Sequence, residues 1–134
     1  MKGGTGSLGQ KEVEMAKYLL GIYSNESQWA TFSQEDVAQA MKAWDAFTDE
    51  TKSSGAFIAG EGLAPTATAK TVSMKGERKS TTDGPYAETK EQFAGFYLLE
   101  CKDEAEAITW AGKIVDLQGH GAVEVRPVMD YDQP

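Results

Sequence analysis

Apolar residues along the chain recur with two periods, and the changes between them mark out strands and helices. Residues 16–23 form an apolar run with little polar relief on either side, short enough for a strand and apolar enough to be covered on both faces. Residues 25–32 are polar and irregular, with Trp29 and Phe32 placed to pin the loop to the next helix. Ser33 can cap that helix and Asp36 can answer it from three positions on; Val37, Ala40, Met41, Trp44, Phe47 and Thr48 then fall at three- and four-residue steps. This stripe predicts a helix running to about Ser54, with Met41 and Trp44 in the core and Gly55 as the stop. Residues 56–59 read as a strand ending at Gly60-Glu61-Gly62. From 69 to 75 the pattern alternates, Val72 and Met74 against Thr71, Ser73 and Lys75, and the turn Lys75-Gly76-Glu77-Arg78 returns the chain along 79–82. Residues 95–101 form another strand, with Phe96 and Leu98 projecting one way and Tyr97 and Leu99 the other. Asp103 and Glu106 repeat the helix-start signal, Ala107, Ile108, Ala111, Ile114 and Val115 supply the buried stripe, and Gly119 lies past the end. The last strand, 122–128, sets Val123, Val125 and Pro127 against Glu124, Arg126 and Val128, with Pro127 near an edge or a strand end.

This order predicts an α+β protein, a ferredoxin-like βαββαβ protomer with an added β-hairpin and both helices on one sheet face. The other face cannot comfortably meet water, because 16–23 and 95–101 carry large apolar residues on both sides. A second copy's sheet is the simplest cover, so a two-fold homodimer with a sheet-on-sheet interior is expected. Residues 15–130 read as one domain. Residues 1–14, with Gly3-Gly4-Thr5-Gly6-Ser7 and no apolar period, read as an expression leader ahead of a native start at Met15, and 131–134 as a tail.

Composition narrows the function classes. A net charge of -8 without a basic stripe argues against direct nucleic-acid binding. No apolar run approaches the ~20 residues of a membrane span. Cys101 is the only cysteine among 134 residues, so no intramolecular disulfide can form, which fits the cytoplasm. There is no P-loop, no dinucleotide fingerprint and no Ser-His-Asp arrangement. His120, in Gly119-His120-Gly121, is the single histidine; without clustered ligands it predicts no metal site, and its bland reading is a solvent-facing loop residue. No cofactor is expected.

The densest polar stretch comes after the hairpin. In Asp83-Gly84-Pro85 the carboxylate can accept local backbone N–H bonds, Gly84 permits a backbone closed to other residues, and Pro85 fixes its own φ. Such a stiff corner either holds a working site or is a plain turn, with Glu88, Lys90 and Glu91 as a solvated cluster. Between corner and sheet the expected pocket wall comprises Glu61, Asp83, Lys90, Tyr97, Glu124 and Arg126. Arg126 can grip a carboxylate at two points, and Asp83, the expected catalytic group, or Glu61 can act as base if desolvated. Proton transfer on a small organic acid, of isomerase or lyase type, would suit that set. Equally, Glu124 and Arg126 can pair with sheet neighbours, and Glu61 can be a surface residue of a glycine-rich turn. Whether the chain is an enzyme stays open.

Asp83 to Glu91, continued by Gln92-Phe93-Ala94-Gly95-Phe96-Tyr97-Leu98-Leu99-Glu100, resembles the DGPF motif of the YCII-related protein family in its DGPFAETKEQ form, with Tyr86 in the place of phenylalanine. Tyr18-Leu19-Leu20-Gly21-Ile22-Tyr23, Ala59-Gly60-Glu61-Gly62-Leu63 and Val123-Glu124-Val125-Arg126-Pro127-Val128 resemble the same family in the same order, so the likeness spans nearly everything after Met15. It implies a dimeric α+β barrel of ferredoxin-like protomers and little about activity. It also implies an alternative role, a non-catalytic regulatory or partner-binding module, because DGPF proteins often occur alongside extracytoplasmic-function sigma factors. Some family members carry a proposed His/Asp pair; Trp44 stands at the corresponding helical position, so that pair does not carry over.

Overall fold

A computed structural model describes residues 14–132. The leader expected over 1–14 lies outside the described residues apart from Glu14, and the expected tail is described only as far as Asp132. In chain order the elements are β1 (Ala16–Ser24), α1 (Glu26–Trp29), α2 (Gln34–Ser53), β2 (Phe57–Gly62), a 3-10 turn (Thr66–Thr68), β3 (Lys70–Lys75), β4 (Arg78–Asp83), β5 (Gln92–Cys101), α3 (Glu104–Gln118) and β6 (Ala122–Pro127). Strands β2, β5, β1 and β6 lie side by side in that order, every pair antiparallel, as an open sheet; β3 and β4 form a separate two-stranded sheet.

The long helices begin where their side chains can satisfy unpaired backbone donors. Ser33 Oγ accepts from the Asp36 N–H at 3.0 Å while the Asp36 carboxylate accepts from the Ser33 N–H at 3.0 Å. Asp103 accepts from the Glu106 N–H at 2.9 Å, and α3 stops at Gly119, whose φ of 76° suits glycine. Both helices pack on the sheet face formed by Tyr18, Leu20 and Ile22 of β1 and Tyr97, Leu99 and Cys101 of β5, adding Phe47 from α2 and Ala107, Trp110, Ala111 and Ile114 from α3. Leu20, Leu99 and Ile114 are wholly buried, each contributing roughly 1.5–3 kcal/mol relative to an exposed side chain.

Two stripe assignments need correction. On α3, Ile108 is 53 % exposed and Trp110 takes its place, its ring edge-on to Phe47 at 5.8 Å. Three- and four-residue spacing admits either residue; the ring wins because it buries more apolar area and meets Phe47 edge-on. On α2, Met41 is 60 % and Val37 45 % exposed, since only the second half of the helix, through Phe47 and Thr51, reaches the core.

Elsewhere the strands run longer than local signals suggest. Gly60-Glu61-Gly62 belongs to β2, paired with Tyr97, Phe96 and Gly95 of β5. Cross-strand pairing holds these glycines extended, overriding their turn tendency. Asn25 caps the unexpected helix α1, accepting from the Ser27 N–H at 3.0 Å. Glu26 then ties α1 to the 3-10 turn, accepting from the Thr66 N–H at 2.8 Å and its hydroxyl at 2.7 Å. On the face away from the helices, Leu19, Tyr23, Phe96 and Leu98 stay half-buried, with Phe93 more exposed beside Tyr23.

Candidate functional site

Side chains thin out at one corner of the helix-covered face. Gly62 pairs with Gly95, which pairs with Ile22, so two of three neighbours in that row have no Cβ. A Cβ on Gly95 would stand 2.7 Å from the Glu61 carbonyl, whereas one on Gly62 would meet nothing within 4 Å. Above this gap the first half of α2 forms a far wall, not a core layer, and a cleft of about 390 Å³ results. Ile22, Trp29, Trp44, Phe96 and Tyr97 line it together with Ser24, Glu61 and Gln118. An adjoining cavity of about 330 Å³ shares Ser24, Trp29, Trp44 and Gln118 and extends to Phe32, Asp36 and His120.

Tyr97 anchors the wall. Its hydroxyl is 2.6 Å from Thr48 Oγ1, Trp44 stacks near-parallel to its ring with centroids 6.4 Å apart, and Phe47 meets it edge-on at 5.1 Å. Burial pushes the phenol's pKa above its ordinary value; the Thr48 hydrogen bond works against that, and the nearby Asp45 charge adds to it. The group therefore serves as a neutral hydrogen-bonding surface at physiological pH.

The polar end of the cleft is built from residues distant in sequence. Ser24, 4 % exposed at the end of β1, lies with Oγ 3.1 Å from Trp29 Nε1 and 3.2 Å from His120 Nε2. His120 Nδ1 is 3.2 Å from the Gln118 carbonyl, and the Gln118 amide donates to the His120 carbonyl at 3.1 Å. His120 is thus half-buried and engaged, not the solvent-facing loop residue its sequence suggests. Gly121 makes this possible: at φ 79° it sits so close to β1 that any side chain there would run into the Tyr23 carbonyl. A histidine between two glycines was the available signal, but its meaning depends on the approach to Ser24.

Of the residues expected to share one wall, Glu61 and Tyr97 line the cleft. Asp83 ends β4 on the hairpin, where its carboxylate accepts from Lys70 Nζ at 2.8 Å in place of local backbone donors; the two side chains are 88 % and 61 % exposed. Glu124 and Arg126 pair with each other at 2.8 Å on an exposed stretch of β6, and that hydrogen bond pushes the guanidinium pKa still higher. Lys90 is exposed in the loop before β5. Pairing places Glu61, Phe96, Gly21 and Glu124 in one row across the four strands, so the two carboxylates share a face at roughly 14 Å.

The DGPF-like stretch builds the corner. Gly84 adopts φ 96°, its N–H donates to the Ala69 carbonyl at 2.7 Å, and its own carbonyl accepts from Thr71 Oγ1 at 2.8 Å. Downstream, Gln92 donates to the Thr89 carbonyl at 2.6 Å and accepts from the Glu26 N–H at 2.9 Å, fastening the loop to α1 below Trp29. Among the described residues no group of three or more His, Cys, Asp or Glu side chains is arranged to hold a metal ion, and no helix is long and apolar enough to cross a membrane.

An uncharacterized protein of Rhizobium meliloti (strain 1021) is 32 % identical over 115 residues, covering 85 % of this chain and 93 % of the relative. The YCII-related domain matches residues 16–132, from the first residue of β1 to the turn after β6. With nearly the whole folded chain covered, the protein belongs to the YCII-related domain family.

Proposed function

We propose that the protein is a small-molecule-binding homodimer of ferredoxin-like protomers, and that the cleft beside Gly62 takes a flat, uncharged or cationic organic ligand. The observation that carries this reading is the cleft's lining: aromatic rings of Trp29, Trp44 and Tyr97 around a glycine-floored space of about 390 Å³. That volume lies within the usual range of small-ligand pockets, and stacked rings with few polar groups are what such pockets offer. Among the described residues lining the two cavities none is Lys or Arg, while Asp36 borders the adjoining one. An organic acid would find no cationic partner there, whereas a neutral heterocycle needs none and an amine can lie against the ring faces.

The strand order β2-β5-β1-β6 with both long helices on one face supports the ferredoxin-like description. Half-buried Leu19, Tyr23, Phe96 and Leu98 on the opposite face support a partner sheet and, with it, the dimeric α+β barrel. Sedimentation equilibrium should give a dimer for the wild type and a monomer for Leu98→Glu; a wild-type monomer at micromolar concentration would sink the barrel.

Ligand binding is tested by thermal-shift and tryptophan-fluorescence screening of neutral heterocycles, aromatic amines and carboxylic acids against wild type and Gly62→Leu. The variant fills the floor of the cleft from a position with open space around its Cβ. Amines or neutral rings should bind the wild type and not the variant. A panel that binds neither protein, or both equally, overturns the reading and returns the chain to the partner-binding role.

A further inference from the structure

The buried hydroxyls of Ser24 and Thr51 are used differently. Thr51 donates to the Thr48 carbonyl of its own helix at 2.7 Å, an ordinary local bond. Ser24 joins three separate elements: β1, α1 through Trp29, and the loop before β6 through His120.

The hydrogen positions around Ser24 are set by the donor and acceptor capacity of each partner. A carbonyl only accepts, so His120 Nδ1, 3.2 Å from the Gln118 carbonyl, carries the ring hydrogen, and in the neutral ring Nε2 is the bare acceptor. An indole N–H only donates, so Trp29 occupies one lone pair of Ser24 Oγ at 3.1 Å. The hydroxyl hydrogen is then directed to Nε2 at 3.2 Å, and one lone pair is left for an electrophile. Nucleophile, base and a third group that orients the base are in place, and Ser24 borders both cavities.

We propose that Ser24 is a nucleophile activated by His120, acting on small uncharged esters held in the cleft. The proposal rests on the ligand-binding reading above and adds a reaction to it. As Oγ bonds to the acyl carbon, its proton passes to Nε2. Collapse of the tetrahedral adduct breaks the bond to the alcohol, which leaves with that proton, and Ser24 is acylated. Water then attacks the acyl carbon, giving a proton to Nε2, and Ser24 leaves by taking it back, so that acid and alcohol are the net products. Throughout, the Gln118 carbonyl holds the Nδ1 hydrogen, which keeps Nε2 aimed at the reacting oxygen.

The full-length protein is treated with an alkyl fluorophosphonate, which forms a bond to an activated serine oxygen and releases fluoride, and adducts are located by intact mass and peptide mapping. A single adduct on Ser24 is expected, absent from Ser24→Ala and at least tenfold slower to form in His120→Gln. Three results overturn the proposal: no adduct on the wild type beside a labelled serine hydrolase control, an adduct elsewhere that Ser24→Ala retains, or His120→Gln labelled at the wild-type rate. Should Ser24→Ala fail to fold, the mapped position on the wild type and the His120→Gln rate decide. Binding of the screened amines and neutral rings, measured in parallel, separates the two readings: a wild type that binds them yet takes no label loses the nucleophile alone. Loss of both binding and label removes the cleft as well.

Discussion

Thr48 of α2 and Tyr97 of β5 meet hydroxyl to hydroxyl at 2.6 Å, and this bond holds the helix at the distance from the sheet that the cleft requires. Tyr97→Phe removes one partner and leaves a half-buried Thr48 hydroxyl unanswered. The expected cost is about 1–2 kcal/mol in urea unfolding, with Trp44 fluorescence changing because its stacking partner moves. An unchanged midpoint together with unchanged emission would remove the Thr48 bond from the account of the wall.

Gly121 links the α3–β6 loop to β1. Gly121→Ala places a methyl against the Tyr23 carbonyl at a backbone φ of 79°, so the loop must lift. The expected loss is ~2 kcal/mol or more, and the histidine ring resonances should move as His120 separates from Ser24. A variant with wild-type stability and an unshifted histidine spectrum would contradict the close approach.

Asp83 and Lys70 form an exposed pair on the hairpin. Asp83→Asn should change unfolding free energy by no more than about 0.5 kcal/mol, because exposed pairs are well screened, and should leave binding of amines or neutral rings in the cleft unaltered. Loss of that binding in Asp83→Asn would put the hairpin corner back into the site.

Cys101 is wholly buried, and burial first, then the charges of Glu106 and Asp103, push its thiol from 9.0 to about 11. At about pH 8 a disulfide reagent should therefore react slowly with the native protein and fully in urea. The linkage has a definite sign: the folded pKa is the higher one, so this contribution to stability is complete below pH 9.0 and declines as pH rises from there through about 11. Cys101→Ala should show a weaker decline over that window; an identical decline would assign the effect to other groups.

Local chemistry settled much of this protein before any long-range contact was considered. The Ser33 and Asp36 box, the Asp103 cap, the turn at Gly76 and the two-faced patterns of β1 and β5 are short-range instructions, and helix starts and strand faces obey them. The α+β class and membership of the YCII-related family were legible for the same reason, since both are written in contiguous residues. The cleft was not. It arises because α2 carries one continuous apolar stripe but packs against the sheet along only half of it, and spacing within a helix says nothing about how far away its neighbour stands. The motif at Asp83 drew attention by its density, yet its Gly84 and Gln92 bonds shape the hairpin corner and fasten α1, while Glu61 and Tyr97 alone of the expected wall meet the cleft. Ser24 and His120 are 96 positions apart, and neither carries a local signature of the other. Only the antiparallel alignment of β1 with β6, closed by a glycine tight enough to touch Tyr23, brings hydroxyl to imidazole.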